Sequence, residues 1–308
     1  MARVDKGRQL PPGLERHSIM VDGVERSYWM LPAAEQAAPL LLVLHGSGLN
    51  GPTMAAWTGL AERGTAAGFA TVFPDGWNEI WDDAGLGRTD GIDDGAFIVA
   101  LIARLVSDGV AQEQVLFLAG LSNGAFFAER LARHGVVRPN GIVLVAGTAR
   151  EASRRVALRP PHPTAVLMFE GTADRLVPFN GGAATGPLGW MARRRSRRLL
   201  VDPGRREAVA ALTTAADWAG ANGCSAEPPI EALAAVQGDL AVDRLSWTRP
   251  GCRPVIVYRI QSGGHGWPGG PQYVPAVLVG TIARHLDATG ILLDFVGSAV
   301  GADRRQID

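Results

Sequence analysis

Two cysteines, three tyrosines and no excess of either charge set the first limits on this chain of 308 residues. Two cysteines with no CxxC pair leave too few thiolates for a zinc site, and the motifs described below imply neither a metal nor an organic cofactor. Thirty basic residues balance thirty acidic ones, which argues against nucleic acid as a partner, because such surfaces need a basic excess. The uninterrupted apolar runs, such as Leu40 to Leu44, are strand-sized, whereas a bilayer span needs about 20 apolar residues. Membrane insertion is therefore not expected. Met1 to Met20 carries charges and prolines and no apolar stretch of the signal-peptide kind, which points to the cytoplasm if Met1 is the true start. The one dense local charge, Arg193-Arg194-Arg195-Ser196-Arg197-Arg198, reads as solvated loop.

What is present is an alternation of strand-like and helix-like segments from end to end, the pattern of an α/β fold with a largely parallel sheet covered on both faces. Ile19 to Val21 and Ser27 to Leu31 flank Asp22-Gly23, a hairpin signal. Leu40 to Leu44 is a continuous apolar strand, as expected when both faces are buried. Helix Thr53 to Ala67, strand Phe69 to Phe73, helix Asp94 to Val106, strands Gly141 to Val145 and Ala165 to Phe169, helix Arg205 to Ala221 and strand Val255 to Ile260 follow. A helical pattern at Val274 to Leu286 comes before Ile291 to Val296. One catalytic domain of the α/β-hydrolase fold is expected over 17–297, between an N-terminal extension (1–16) and a C-terminal tail (298–308). Residues 180–204 read as an insertion over the carboxyl end of the sheet, where open α/β sheets bind ligands.

The most specific local pattern is Gly120-Leu121-Ser122-Asn123-Gly124, a GxSxG turn running out of the apolar strand Val115 to Leu118 and into a helical pattern from Phe126 to His134. Such a turn lifts one serine hydroxyl clear of the sheet edge, which makes Ser122 the candidate nucleophile. A hydroxyl needs a base, and the base needs a carboxylate to fix its tautomer. Of six histidines, only His265 lies in a glycine-rich loop just past a strand, so His265 is the expected general base and acid. Asp174, in the loop after Ala165 to Phe169, falls between serine and histidine in chain order and is the expected acid. Glu170 is the competitor, better suited to bracing the loop, and Asp217 and Asp243 are less well placed.

The tetrahedral intermediate requires backbone donors for its oxyanion. The amide of Asn123 is one expected donor, and Ser47, in the turn His45-Gly46-Ser47-Gly48, is the other, with Gly48 as its alternative; His45 reads as bracing that turn. Trp81 and Trp267 sit in loops beside these parts and are candidates to contact an acyl chain. Cys224 and Cys252 lie at ends of regular elements where the chain turns back, so they could pair or remain two structural thiols.

Taken together, Leu44-His45-Gly46, Phe73-Pro74-Asp75-Gly76 with Trp81, the serine turn, Gly171-Thr172-Ala173-Asp174 with Val177-Pro178, Asn222-Gly223-Cys224, Gly251-Cys252 and Gly264-His265-Gly266-Trp267-Pro268-Gly269-Gly270 resemble the polyhydroxybutyrate depolymerase and feruloyl esterase branch of the α/β-hydrolases. The resemblance covers roughly residues 17 to 297. It implies a triad of Ser122, Asp174 and His265, a Cys224–Cys252 disulfide, no metal, and a small or oligomeric ester as substrate. It also implies an extracellular or periplasmic location, in tension with the charged start of the chain. An amidase using the same triad, or a silent binding module on the same fold, are the competing expectations.

Overall fold

A computed structural model describes residues 9–32, 37–85, 90–155, 158, 163–186, 207–234 and 236–307, with the side chains of 302–307 outside the description. The arginine run at 193–198 and all but the first residues of the 180–204 insertion lie outside the described residues. The first half of the chain folds as β1 (Glu15–Val21), β2 (Val24–Met30), β3 (Ala38–Leu44), α1 (Gly51–Thr58), α2 (Leu60–Ala66), β4 (Ala70–Pro74), α3 (Asp94–Ser107), β5 (Ala111–Leu121), α4 (Asn123–Arg133) and β6 (Gly141–Val145). The second half adds α5 (Glu151–Arg154), β7 (Ala165–Gly171), α6 (Ala211–Ala221), β8 (Ile230–Ala232), β9 (Val242–Trp247), β10 (Val255–Ile260), α7 (Ala276–Val279) and α8 (Ala288–Ile307).

The strands form one open sheet in the order β1-β2-β4-β3-β5-β6-β7-β10-β9-β8. The six from β4 to β10 in that order run parallel, while β1, β2, β9 and β8 pair antiparallel at the two edges. Side chains alternate between the faces of each strand, so the apolar central strands feed two cores. Leu40, Leu42, Leu118, Ile142, Leu144 and Met168 pack under α3, α4 and α6. Leu41, Val43, Phe117, Val143, Val145 and Leu167 pack under α1, α2 and α8.

Local chemistry sets several boundaries. Asn50 caps α1, its Oδ1 accepting from Thr53 N at 3.0 Å, and Gly59, at φ 63°, ends it. The single helix expected over Thr53 to Ala67 is thus two, because a left-handed residue breaks the ladder. The hairpin at Asp22-Gly23 forms, with both residues at positive φ.

One expected helix is absent. Within Val274 to Leu286 only the single turn of α7 is helical. Val279 O accepts from His265 N and Thr281 O from Gly264 N, both at 2.7 Å, so these carbonyls are committed to a neighbouring loop and cannot propagate a helix. The helix instead begins at Ala288 and runs through what the sequence suggested was a tail from residue 298. Cys224 and Cys252 form a disulfide, with their Cα atoms 5.4 Å apart. No helix among the described residues is long and apolar enough to cross a membrane.

Candidate active site

Six parallel strands place six sets of loops along one edge of the sheet, and backbone strain collects there. Among the described residues, seven non-glycine residues have positive φ, and five of them lie on this edge: Asn78 and Glu79 after β4, Ser122 after β5, Ala146 after β6 and Ser262 after β10. Such conformations cost about 1–3 kcal/mol each and persist only where surrounding bonds hold them.

Ser122 sits between β5 and α4 at φ 55°, ψ −117°. Its amide donates to Val145 O at 2.8 Å, and its carbonyl accepts from Ala125 N and Phe126 N at 2.9 and 3.1 Å. The two glycines of the motif are required by contact. A Cβ on Gly120 would fall 2.4 Å from the Gly124 backbone, and one on Gly124 would fall 2.3 Å from Leu44 O. Strand end, helix start and the β3 loop are therefore pressed together around the serine.

Asp174 and His265, 91 residues apart in sequence, meet in a buried pair with Nδ1 2.7 Å from Oδ2. A carboxylate only accepts, so Nδ1 carries the proton, which makes Nε2 the nitrogen that the neutral ring offers as a base. The other carboxylate oxygen, Asp174 Oδ1, accepts from Leu176 N and Val177 N at 2.8 and 2.9 Å. Those bonds lock the carboxylate in plane. His265 is held from its own backbone by the bond to Val279 O. The competing carboxylates are engaged elsewhere: Asp217 with Arg154, and Asp243 with Arg259 and Gln261. Glu170, fully buried at the end of β7, accepts from Gly147 N at 3.3 Å. Burial first, and the charge of Asp174 second, push its carboxyl well above the usual range.

The β3 loop approaches the serine from the other side. Gly46 is so close that a Cβ there would sit 3.5 Å from Ser122 Cβ. The amide of Gly48 donates to Glu79 O at 2.8 Å, which removes the alternative donor and leaves Ser47 as the candidate from this loop. His45 braces the loop. Its Nδ1 donates to Gly46 O at 2.9 Å, and its Nε2 accepts from Gly76 N at 2.8 Å. That arrangement needs a neutral ring, and burial lowers its pKa to about 4.

Both tryptophans expected to face an acyl chain are instead built into the protein, each only 2% exposed. Trp81 stacks on Phe127 with ring centres 5.1 Å apart and donates from Nε1 to His45 O at 3.0 Å. Trp267 donates to Thr289 Oγ1 at 3.0 Å, and that hydroxyl donates to Thr58 O at 2.7 Å. Their indole N–H groups are satisfied internally and both side chains are buried, so each ties neighbouring loops together. Sequence reasoning missed Asp75, which gathers the loop after β4 by accepting from Gly51 N, Ser27 Oγ and Trp29 Nε1; its place in the Pro74-Asp75-Gly76 turn was the available signal. Among the described residues, no group of three or more His, Cys, Asp or Glu side chains could hold a metal ion.

This strand order, with a strained serine turn between β5 and α4, defines an α/β-hydrolase. Over 291 residues the chain is 31% identical to the protein described as "Putative esterase NocK" from Nocardia uniformis subsp. tsuyamanensis, covering 90% of this chain and 81% of that one. The chain belongs to this esterase-type α/β-hydrolase family. Among solved structures, an acetyl xylan esterase from Aspergillus awamori matches with a TM-score of 0.55 over 82% of this chain and 94% of its own, at 11% identity, a likeness of fold alone. No protein-family model matches the sequence.

Proposed function

We propose that the protein is a serine esterase that cleaves carboxylic esters through an acyl-enzyme, with Ser122 as nucleophile, His265 as general base and acid, and Asp174 as the group that orients His265. The observation that carries this reading is the buried His265–Asp174 pair, with its 2.7 Å bond to Nδ1, on the same sheet edge as the strained Ser122. Family membership alongside an esterase supports the reaction class.

In this mechanism His265 Nε2 takes the hydroxyl proton as Ser122 Oγ attacks the ester carbonyl. The carbonyl oxygen becomes an oxyanion received by the amides of Asn123 and Ser47. The C–O bond to the alcohol then breaks, the alcohol leaves with the proton from His265, and the acyl group stays on Ser122. Water, deprotonated by the same nitrogen, attacks the acyl carbon and releases the acid. Burial disfavours charge on Glu170, so Asp174 is the carboxylate placed to stabilise the imidazolium.

The substrates proposed are soluble hydroxyalkanoate oligomers or feruloyl-type esters, in keeping with the motifs shared with that branch of the fold. The disulfide favours an oxidising compartment. The deciding experiment measures turnover of p-nitrophenyl butyrate, methyl ferulate, a hydroxybutyrate trimer and a peptide anilide by wild type and Ser122→Ala. Ester turnover lost by on the order of 10⁶-fold in the variant is expected. Retention of near-wild-type hydrolysis would overturn the mechanism, and preferential cleavage of the anilide would reassign the enzyme as an amidase.

A further inference from the structure

We propose that the side chain of Asn123, as distinct from its backbone amide, is a positioning residue that sets the width of the oxyanion site; the proposal rests on the esterase reading above. Asn123 is buried and makes a reciprocal pair with the backbone N–H and C=O of a single residue, Trp81, in the loop after β4. Its Oδ1 accepts from Trp81 N at 2.8 Å, and its Nδ2 donates to Trp81 O at 3.1 Å. The orientation of the carboxamide is forced, because only oxygen can face the Trp81 N–H.

Trp81 passes the constraint on. Its Nε1 donates to His45 O at 3.0 Å, and its ring lies against the His45 ring with centres 5.1 Å apart. The same loop holds the β3 turn at two further points, through Gly76 N to His45 Nε2 and through Gly48 N to Glu79 O, each at 2.8 Å. The two proposed donors belong to different elements, Asn123 to α4 and Ser47 to the β3 turn. The 76–81 loop is the spacer between them, and Asn123 fixes its end by two hydrogen bonds to the start of the helix that follows the nucleophile, beside the stacking of Trp81 on Phe127 and the bond from Arg130 to Asp82 O. A donor that stabilises charge appearing only in the transition state acts on kcat rather than on ground-state binding.

The test compares Asn123→Ala, Asn123→Asp and Ser122→Ala on p-nitrophenyl butyrate, each checked for folding by thermal melting. All retain the peptide N–H at position 123, so any effect of the first two reports on the side chain. Asn123→Ala is expected to lower kcat by about 10- to 100-fold, short of or near the loss of one oxyanion donor, with KM within threefold. Asn123→Asp keeps the acceptor but places a second oxygen against Trp81 O. The ratio of its kcat to that of wild type is expected to fall with rising pH as the new carboxyl ionises, since only the protonated acid can donate to Trp81 O. Should Asn123→Ala not fold, this pH profile decides. A wild-type kcat in Asn123→Ala, or an Asn123→Asp profile superimposing on wild type, overturns the proposal while an inactive Ser122→Ala leaves the esterase reading intact. An active Ser122→Ala overturns both.

Discussion

Acid should loosen this protein through His45. The ring is fully buried, and its bonds to Gly46 O and Gly76 N require the neutral form, since a protonated Nε2 would meet the Gly76 N–H donor to donor. Burial lowers its pKa from 6.5 to about 4. A histidine whose folded value is depressed gives its full stabilisation above the unfolded value and loses it as pH falls from 6.5 towards 4. With those two values, the contribution lost by pH 4 is about 3 kcal/mol, at no more than about 1.4 kcal/mol per pH unit. Other groups titrate in the same window, so the assay is a difference. Urea unfolding of wild type and His45→Gln is followed from pH 4 to pH 8. Glutamine can still accept from Gly76 N and does not titrate. The stability gap between the two proteins should shift in favour of the variant by about 3 kcal/mol across the window. Parallel stability curves would refute the reasoning, because His45 would then titrate alike in both states.

Three further outcomes are expected. Asp174→Asn can keep the bonds from Leu176 N and Val177 N but offers His265 Nδ1 a donor, favouring the wrong tautomer, and should lower kcat by about 10⁴-fold with little change in melting temperature; a loss under tenfold would contradict the assignment of the acid. Glu170→Gln should keep its esterase activity and gain melting temperature over wild type more at pH 8 than at pH 4. The carboxyl's pKa is raised in the folded state, so wild type loses stability as pH rises from the unfolded value towards the folded one, and the amide does not. Replacing Cys224 and Cys252 with serine opens a loop with a sequence separation of 28, for which loop-closure entropy predicts a loss of about 3.5 kcal/mol, measurable by chemical denaturation.

The parts of the site that were legible in the sequence are those fixed by a few neighbouring residues. The serine turn is one: Gly120 and Gly124 are needed because a Cβ on either would collide with backbone, so the strand, turn and helix follow from the pentapeptide and its apolar lead-in. Loop position and chain order singled out Asp174 and His265, which the structure places in hydrogen-bond contact. His45 as a brace followed from its place in a tight turn. The helix expected at Val274 to Leu286 shows the limit. Its apolar spacing is helical, yet its carbonyls are taken by the loop that carries His265, and periodicity carries no information about a competing partner.

What the sequence determined by itself is therefore the chemistry-bearing local geometry: a strained serine between strand and helix, a glycine-rich loop for the histidine, a turn for the aspartate and apolar strands buried on both faces. The tertiary structure decided which of these parts meet and which side chains remain free. It brought Asp174 to His265 across 91 residues, turned Trp81 and Trp267 inward because their indole N–H groups found acceptors within the fold, and spent the Asn123 carboxamide on the Trp81 backbone. Those outcomes depend on the strand order and on the loops packed over one sheet edge. A side chain's partner is fixed by position in space, and spacing along the chain cannot supply it.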